Sequence, residues 1–418
     1  MPLTNIAFDP IDITGITTAK LWLRSGSSSD PNDQKGAHQL LASLLTRGCG
    51  KYSHVDFSNK VENLGADLRC DTFEEGILIS LKCAESNTQE LLPLLGLMIN
   101  RPHFDMDQLQ LEKDLSLQAI KRQKENPFQI AFEGWRKIAY SKSSLAHDPL
   151  GEEKNIKKIN QEDLLELSRR IKSQSQILVI GGSKEHKHLN KIKGIKTFIH
   201  TNEILNKENK VVNLKTTRQD NSISINYTET EQVVILLGVP TIPHYNSESL
   251  YLSLLSTYLG SGMTSVLFQR LREKHGVAYE AGCHFPARGF RAPFILHAST
   301  TEEKSLITLK LLLDTWEEVK RELIEESKLI LTRAKFKGDL AHASQTIGQR
   351  AERIAQLISM NLSLNYDHMR INKIEAIKAD EIRKAANTYL KNPILSVSGP
   401  ESALKKISQY WESHIRSL

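Results

Sequence analysis

Two stretches of the chain read alike: Gly48-Cys49-Gly50, followed by Phe57 and Gly65, and Gly260-Ser261-Gly262, followed by Phe268 and Gly276. The glycine turns are offset by 212 residues, and the phenylalanines and later glycines by 211. Further along, Ile156-x-x-Ile159-x-x-x-Asp163-Leu164 matches Ile374-x-x-Ile377-x-x-x-Glu381-Ile382 at an offset of 218. Each half then closes with a short apolar strand ending on glycine, Ile177–Gly182 and Ile394–Gly399. Matches in the same order at nearly constant offset mark an internal duplication. The expected organisation is therefore an N-terminal domain over residues 1–183, a polar linker over 184–220 and a C-terminal domain over 221–418. The linker is rich in lysine, carries Gly194 and shows little sustained periodicity.

Within each half, strands alternate with helices. Thr18–Arg24 alternates as a strand, Gly36–Thr46 carries a helical apolar stripe, Gly76–Lys82 reads as a strand and Thr88–Asn100 as a helix. The second half repeats the pattern with a strand at Val233–Gly238, a helix at Glu248–Leu259 and a strand at Phe294–Ala298. Leu306, Leu309, Leu313, Trp316 and Leu323 then fall on one face of a long helix. The expected class is α+β, with two homologous domains, each an antiparallel sheet with helices packed on one face. Neither half places G-x-G-x-x-G between a strand and a helix, so a dinucleotide site is not supported.

Composition narrows the function. The chain has 418 residues, 39% hydrophobic and 25% charged, the balance of a globular protein. A formal charge of +6, with basic residues dispersed among 49 acidic ones, forms no concentrated stripe of the kind that binds nucleic acid. No apolar run approaches the roughly 18 residues that span a bilayer. The first residues have neither a basic nor an apolar leader segment. Cys49, Cys70, Cys83 and Cys283 stand far apart without a C-x-x-C pair, which excludes a cysteine zinc ribbon and reads as reduced thiols. The expected location is the cytoplasm of a bacterial-type cell, or an organellar matrix or stroma if a transit peptide has been removed.

The segment Gly36-Ala37-His38-Gln39-Leu40-Leu41-Ala42-Ser43-Leu44, with Gly26, Ser27 and Asp30 before it, resembles the signature of the pitrilysin/insulinase zinc peptidases. That family's inverted motif, H-x-x-E-H, places two histidines on one helical face to hold zinc, with the glutamate as general base. A glutamate from a later helix completes the ligands. Here His38 stands at the first histidine position, Leu41 replaces the base and Ala42 the second histidine. The distal helix resembles Phe104–Lys121, where the ligand position falls on Ala119. A lone imidazole cannot hold catalytic zinc, which takes about three protein ligands. No cofactor is expected in this chain. His38 is read either as a locally hydrogen-bonded side chain or as part of a new metal site. The cluster Glu185-His186-Lys187-His188 reads as a solvated turn of the linker.

In the second half, the stretch from Tyr258 to Tyr279, YLGSGMTSVLFQRLREKHGVAY, is similar to the family's C-terminal segment. Its glycine turn is Gly260 and Gly262, and the family's substrate-binding arginine and tyrosine match Arg272 and Tyr279. The resemblance continues through Asn126-Pro127, His147–Gly151, Lys335–Gly338 and Val397–Pro400. It implies a non-catalytic, substrate-binding subunit of a heterodimeric processing-peptidase-like endopeptidase acting on unfolded peptides. Zinc would then lie in a homologous H-x-x-E-H partner. Arg272 and Tyr279 would hydrogen-bond the peptide and the developing oxyanion. The alternative is a peptide-binding or structural core subunit with no protease partner.

Overall fold

A computed structural model describes residues 4–11, 15–141, 143–182 and 222–414. Each half of the duplication builds a five-stranded sheet. The first contains β1 (Thr4–Pro10), β2 (Ile16–Leu23), β3 (Asp67–Thr72), β4 (Ile77–Ala84) and β5 (Gln176–Gly182), in the order β1-β5-β2-β4-β3. The second contains β6 (Ile223–Tyr227), β7 (Gln232–Pro240), β8 (Glu280–His284), β9 (Pro293–Thr301) and β10 (Ile394–Gly399), in the order β6-β10-β7-β9-β8. The two orders are the same topology. In both, one outer strand pairs parallel, β1 with β5 and β6 with β10, and every other pairing is antiparallel. The duplication reaches the backbone of single residues, since Gly65 and Gly276 are both left-handed, at φ +60° and +58°.

The chain divides into two compact units. Unit one runs to Lys121, resumes at His147 through β5 and takes in Ala341–Tyr366; unit two holds Arg122–Ala146, β6 through Leu340, and everything from Asp367. In unit one, Ala19, Leu21 and Leu23 of β2 bury against leucines of the helices Ala37–Leu45, Thr88–Asn100 and Gln161–Ser173. The alternate residue Trp22 faces the other side, with Leu78, Ile177 and Val179. There it meets Ala351, Ala355 and Ile358 of the helix Ile347–Ser359. Strand alternation thus supplies two apolar faces, and the second is covered by one helix from the far half of the sequence.

Unit two repeats the exchange. Its main core packs the helices Ser249–Gly260, Ser305–Arg321, Ala379–Tyr389 and Glu401–His414 on one face of the sheet. The other face takes Ala131 and Trp135 of the helix Pro127–Ala139 against Val234, Leu236 and Ile295. Trp135 Nε1 donates to the Gly238 carbonyl at 3.1 Å, and Ser396 Oγ to the Ala131 carbonyl at 2.6 Å. Leu323 does not belong to the long helix. That helix ends at Arg321, Glu322 turns extended, and Leu323 is 55% exposed. Gly194 and the Glu185–His188 cluster lie outside the described residues.

Candidate functional site

The helix Ala37–Leu45 is held at its start by one carboxylate. Asp30 Oδ2 accepts the Gly36 N–H at 2.8 Å, and Oδ1 accepts the His38 N–H at 3.1 Å. The same Oδ1 lies 2.6 Å from His38 Nδ1. An ionised carboxylate only accepts, so we assign the shared proton to Nδ1. On the other side of the ring, Nε2 meets Ser25 Oγ at 2.8 Å. His38 is 0% exposed, and both of its ring nitrogens are engaged. His147 Nε2 approaches Asp30 Oδ2 at 3.6 Å. Burial by itself would push the Asp30 carboxyl up. The neighbouring His147 and His38 imidazoles and the Gly36 N–H outweigh it and hold the carboxyl below the usual range.

The other positions of the motif carry no donor. Leu41 and Ala42 are buried in the unit-one core, and Ala119 is half-buried on the helix Met106–Gln123. Tetrahedral zinc takes nitrogen, sulfur or oxygen ligands. These four positions supply one imidazole, already bound on both sides, and so do not fit the ion. Among the described residues, no group of three or more histidine, cysteine, aspartate or glutamate side chains is arranged to hold a metal. One acidic residue of this helix escaped the sequence reading. Glu112, buried two turns before Ala119, is clasped by Arg47, whose Nε lies 2.6 Å from Oε1. Arg47 also contacts His54 Nε2 at 3.2 Å. Its only signal in the sequence is a position seven residues from Ala119, hence on the same helical face.

In unit two, the helix Ser249–Gly260 ends against β8. A Cβ on Gly260 would stand 2.3 Å from the Cys283 nitrogen, so this glycine allows close packing of helix on strand. Gly262 follows at φ +71°, and Lys335 Nζ holds the turn by donating to the Ser261 carbonyl at 2.7 Å. The chain then winds Phe268–Lys274 as a π-helix, a rare form found often at functional sites. Leu271 buries its inner face. The Arg272 guanidinium carbon sits 5.1 Å from the Phe268 ring centroid, a cation–π contact. Its Nη1 donates to the Tyr279 carbonyl at 3.4 Å. The Tyr279 N–H donates to Ser299 at 2.9 Å, which seats the residue at the entry to β8, and its side chain remains outside the core at 68% exposure. The fold thus brings Arg272 and Tyr279 together beside the outermost strand of the sheet. Each keeps donors for a ligand, the remaining guanidinium N–H groups and the phenol hydroxyl.

A duplicated sheet-and-helix peptidase fold that keeps a single imidazole at its zinc-motif positions is the class these features define. Two models of one family match the chain, "Insulinase (Peptidase family M16)" over residues 12–152 and "Peptidase M16 inactive domain" over 158–336. The chain belongs to the insulinase, or peptidase M16, family. An "uncharacterized zinc protease" of Rickettsia felis is 22% identical over 91% of each chain. A "non-peptidase homolog YmxG" of Helicobacter pylori is 23% identical, covering 89% of this chain and 84% of its own. A solved "peptidase M16 inactive domain" from Pseudomonas fluorescens superposes with a TM-score of 0.83 at 20% identity, over 95% of this chain and 96% of that one. Among the described residues, no helix is long and apolar enough to cross a membrane.

Proposed function

We propose that the protein is the substrate-binding, non-catalytic subunit of a two-chain zinc endopeptidase acting on unfolded peptides. The supporting observation is an asymmetry between the halves. Leu41, Ala42 and Ala119 offer zinc no lone pair, whereas Arg272 and Tyr279 stand exposed with free donors. In this reading a homologous partner with an intact H-x-x-E-H supplies zinc and the general base. Arg272 and Tyr279 orient the scissile segment and stabilise charge developing on the attacked carbonyl. Among the described residues β8 pairs only with β9, so its outer edge provides a template on which an extended peptide adds as a strand. The domain division is taken as residues 1–183 and 221–418, joined by 184–220.

The test mixes the purified protein with such a partner and follows cleavage of an unfolded peptide. Arg272→Ala and Tyr279→Phe should each lower kcat/KM by roughly 10- to 1,000-fold, the range for loss of one oxyanion or substrate donor. Full activity with both variants would refute the assigned roles. A second reading, peptide binding with no protease partner, draws on the relative named a non-peptidase homolog. It predicts peptide binding that is unchanged by the partner and still sensitive to both substitutions.

A further inference from the structure

Unit one holds a cavity of about 520 Å³ between its sheet and the first turns of the helix Ile347–Ser359. Lys20 is its most buried charge, at 4% exposure. Among the described residues, the Lys20 ammonium donates to Ser80 Oγ at 2.9 Å and to Glu352 Oε2 at 3.1 Å, which leaves its third hydrogen for another acceptor. Arg69, Lys82 and Asp67, all exposed, line the same space. The helix's first intrahelical bond is donated by Arg350, so the N–H groups of Ile347 and Gly348, which also line the cavity, precede that ladder.

The duplication shows that this space is not a necessity of the fold. The helix Pro127–Ala139 packs on the sheet of unit two as Ile347–Ser359 packs on that of unit one. Both begin at a capping side chain, Asn126 or Thr346. Two and six residues after the cap, unit two has Phe128 and Phe132, edge-on to His297 and His284 at 5.4 and 5.9 Å. Unit one has Gly348 and Glu352 at the same steps. Two aromatic rings fill one copy, whereas the other is left open and given an ion pair. Charges taken out of water are costly unless something compensates them.

We propose that this cavity binds a carboxylate monoanion. Besides the Lys20–Glu352 pair, the lining carries Arg69, Lys82 and Asp67, and Arg69 Nε also lies 3.8 Å from Asp71. With its acids so close, the cavity repels a phosphate dianion more strongly than a singly charged carboxylate. A carboxylate's two oxygens can accept from the Lys20 ammonium and the helix's leading N–H groups together. The volume lies within the range of small-molecule sites. The carboxylate can come from a free small acid or from a peptide C-terminus. None of these residues is part of the Arg272–Tyr279 pair, so the inference stands or falls separately from the proposed peptidase role.

Calorimetric titration of the whole chain with trialanine, trialanine amide, N-acetylalanine and inorganic phosphate tests it. Saturable binding is expected for at least one free carboxylate, with the amide and phosphate weaker by about tenfold or more. Trialanine alone binding would identify a peptide terminus as the source, and N-acetylalanine binding equally well would identify a small acid. Gly348→Phe copies the other half into the cavity. A Cβ at Gly348 meets nothing closer than 4.0 Å, so the helix should tolerate the change while binding falls at least about tenfold. Lys20→Met should give the same loss and serves if Gly348→Phe does not fold. No saturable carboxylate binding, or wild-type affinity in a folded variant of either kind, would overturn the proposal.

Discussion

Asp30 accepts two backbone N–H groups and an imidazole within the core, so its charge fastens the start of a helix as well as a side chain. Asp30→Asn removes that charge and leaves at least one buried donor without its acceptor. A loss of about 2–3 kcal/mol in urea unfolding is expected. The pH dependence has a definite sign. The folded carboxyl is held below its ordinary value, so its stabilisation is complete above the unfolded value near pH 4 and fades as pH falls through the lower folded one. The wild type should therefore lose stability on the acid side more steeply than Asp30→Asn, as read from urea midpoints between about pH 5 and 2. The same contacts occupy His38, so chain loaded with excess zinc and desalted should retain well under one equivalent by metal analysis. A tightly held equivalent would contradict this account of the ring. The donor-free side chains of Leu41, Ala42 and Ala119 were legible residue by residue, because leucine and alanine lack donor atoms wherever they stand. The aspartate and serine that engage His38 were not, since only folding sets Ser25 and Asp30 on opposite sides of one ring.

At the scale of elements, two glycines separate helix propensity from packing. Gly338 lies in the helix Glu326–His342, and a Cβ there would meet nothing within 4 Å. Gly338→Ala should raise stability by about 0.5–1 kcal/mol through propensity alone. Gly134 lies in the helix Pro127–Ala139, where a Cβ would stand 2.4 Å from Ser224 Oγ and 2.7 Å from Asn226 Nδ2. Gly134→Ala should lower stability by about 1–3 kcal/mol, because crowding outweighs the propensity gain. Thermal melts of the pair check both signs, and equal shifts would show that the contact with the sheet does not matter. The elements most visible in the sequence were the buried ones. Ile77–Ala84 and Thr88–Asn100 announce themselves by a short, mostly apolar run and by an apolar helical stripe. β3, written DLRCDT, alternates only between exposed and half-buried positions. As an outer strand it needs little apolar surface, so periodicity had nothing to detect.

Across the whole molecule, each unit depends on a helix encoded in the other half of the sequence. Fragments 1–183 and 221–418 expressed alone would each lack the cover of one sheet face, leaving Trp22, Leu78, Ile177 and Val179 bare in the first. Each fragment should be aggregation-prone or loosely packed by near-UV circular dichroism, and co-expression should recover a soluble pair. A well-folded, soluble single fragment would show that the exchanged helices are dispensable. Two repeats, their strands and helices and the family could all be read from the chain as written. Those signals are local: periodicity, glycine turns and donor atoms survive without knowledge of what packs against them. Which sheet each exchanged helix covers, and the cavity that joins Lys20 to Glu352 across 332 residues of sequence, were settled only in three dimensions. Apolar faces of similar composition are interchangeable in one dimension, and shape complementarity and charge pairing between distant segments choose among them.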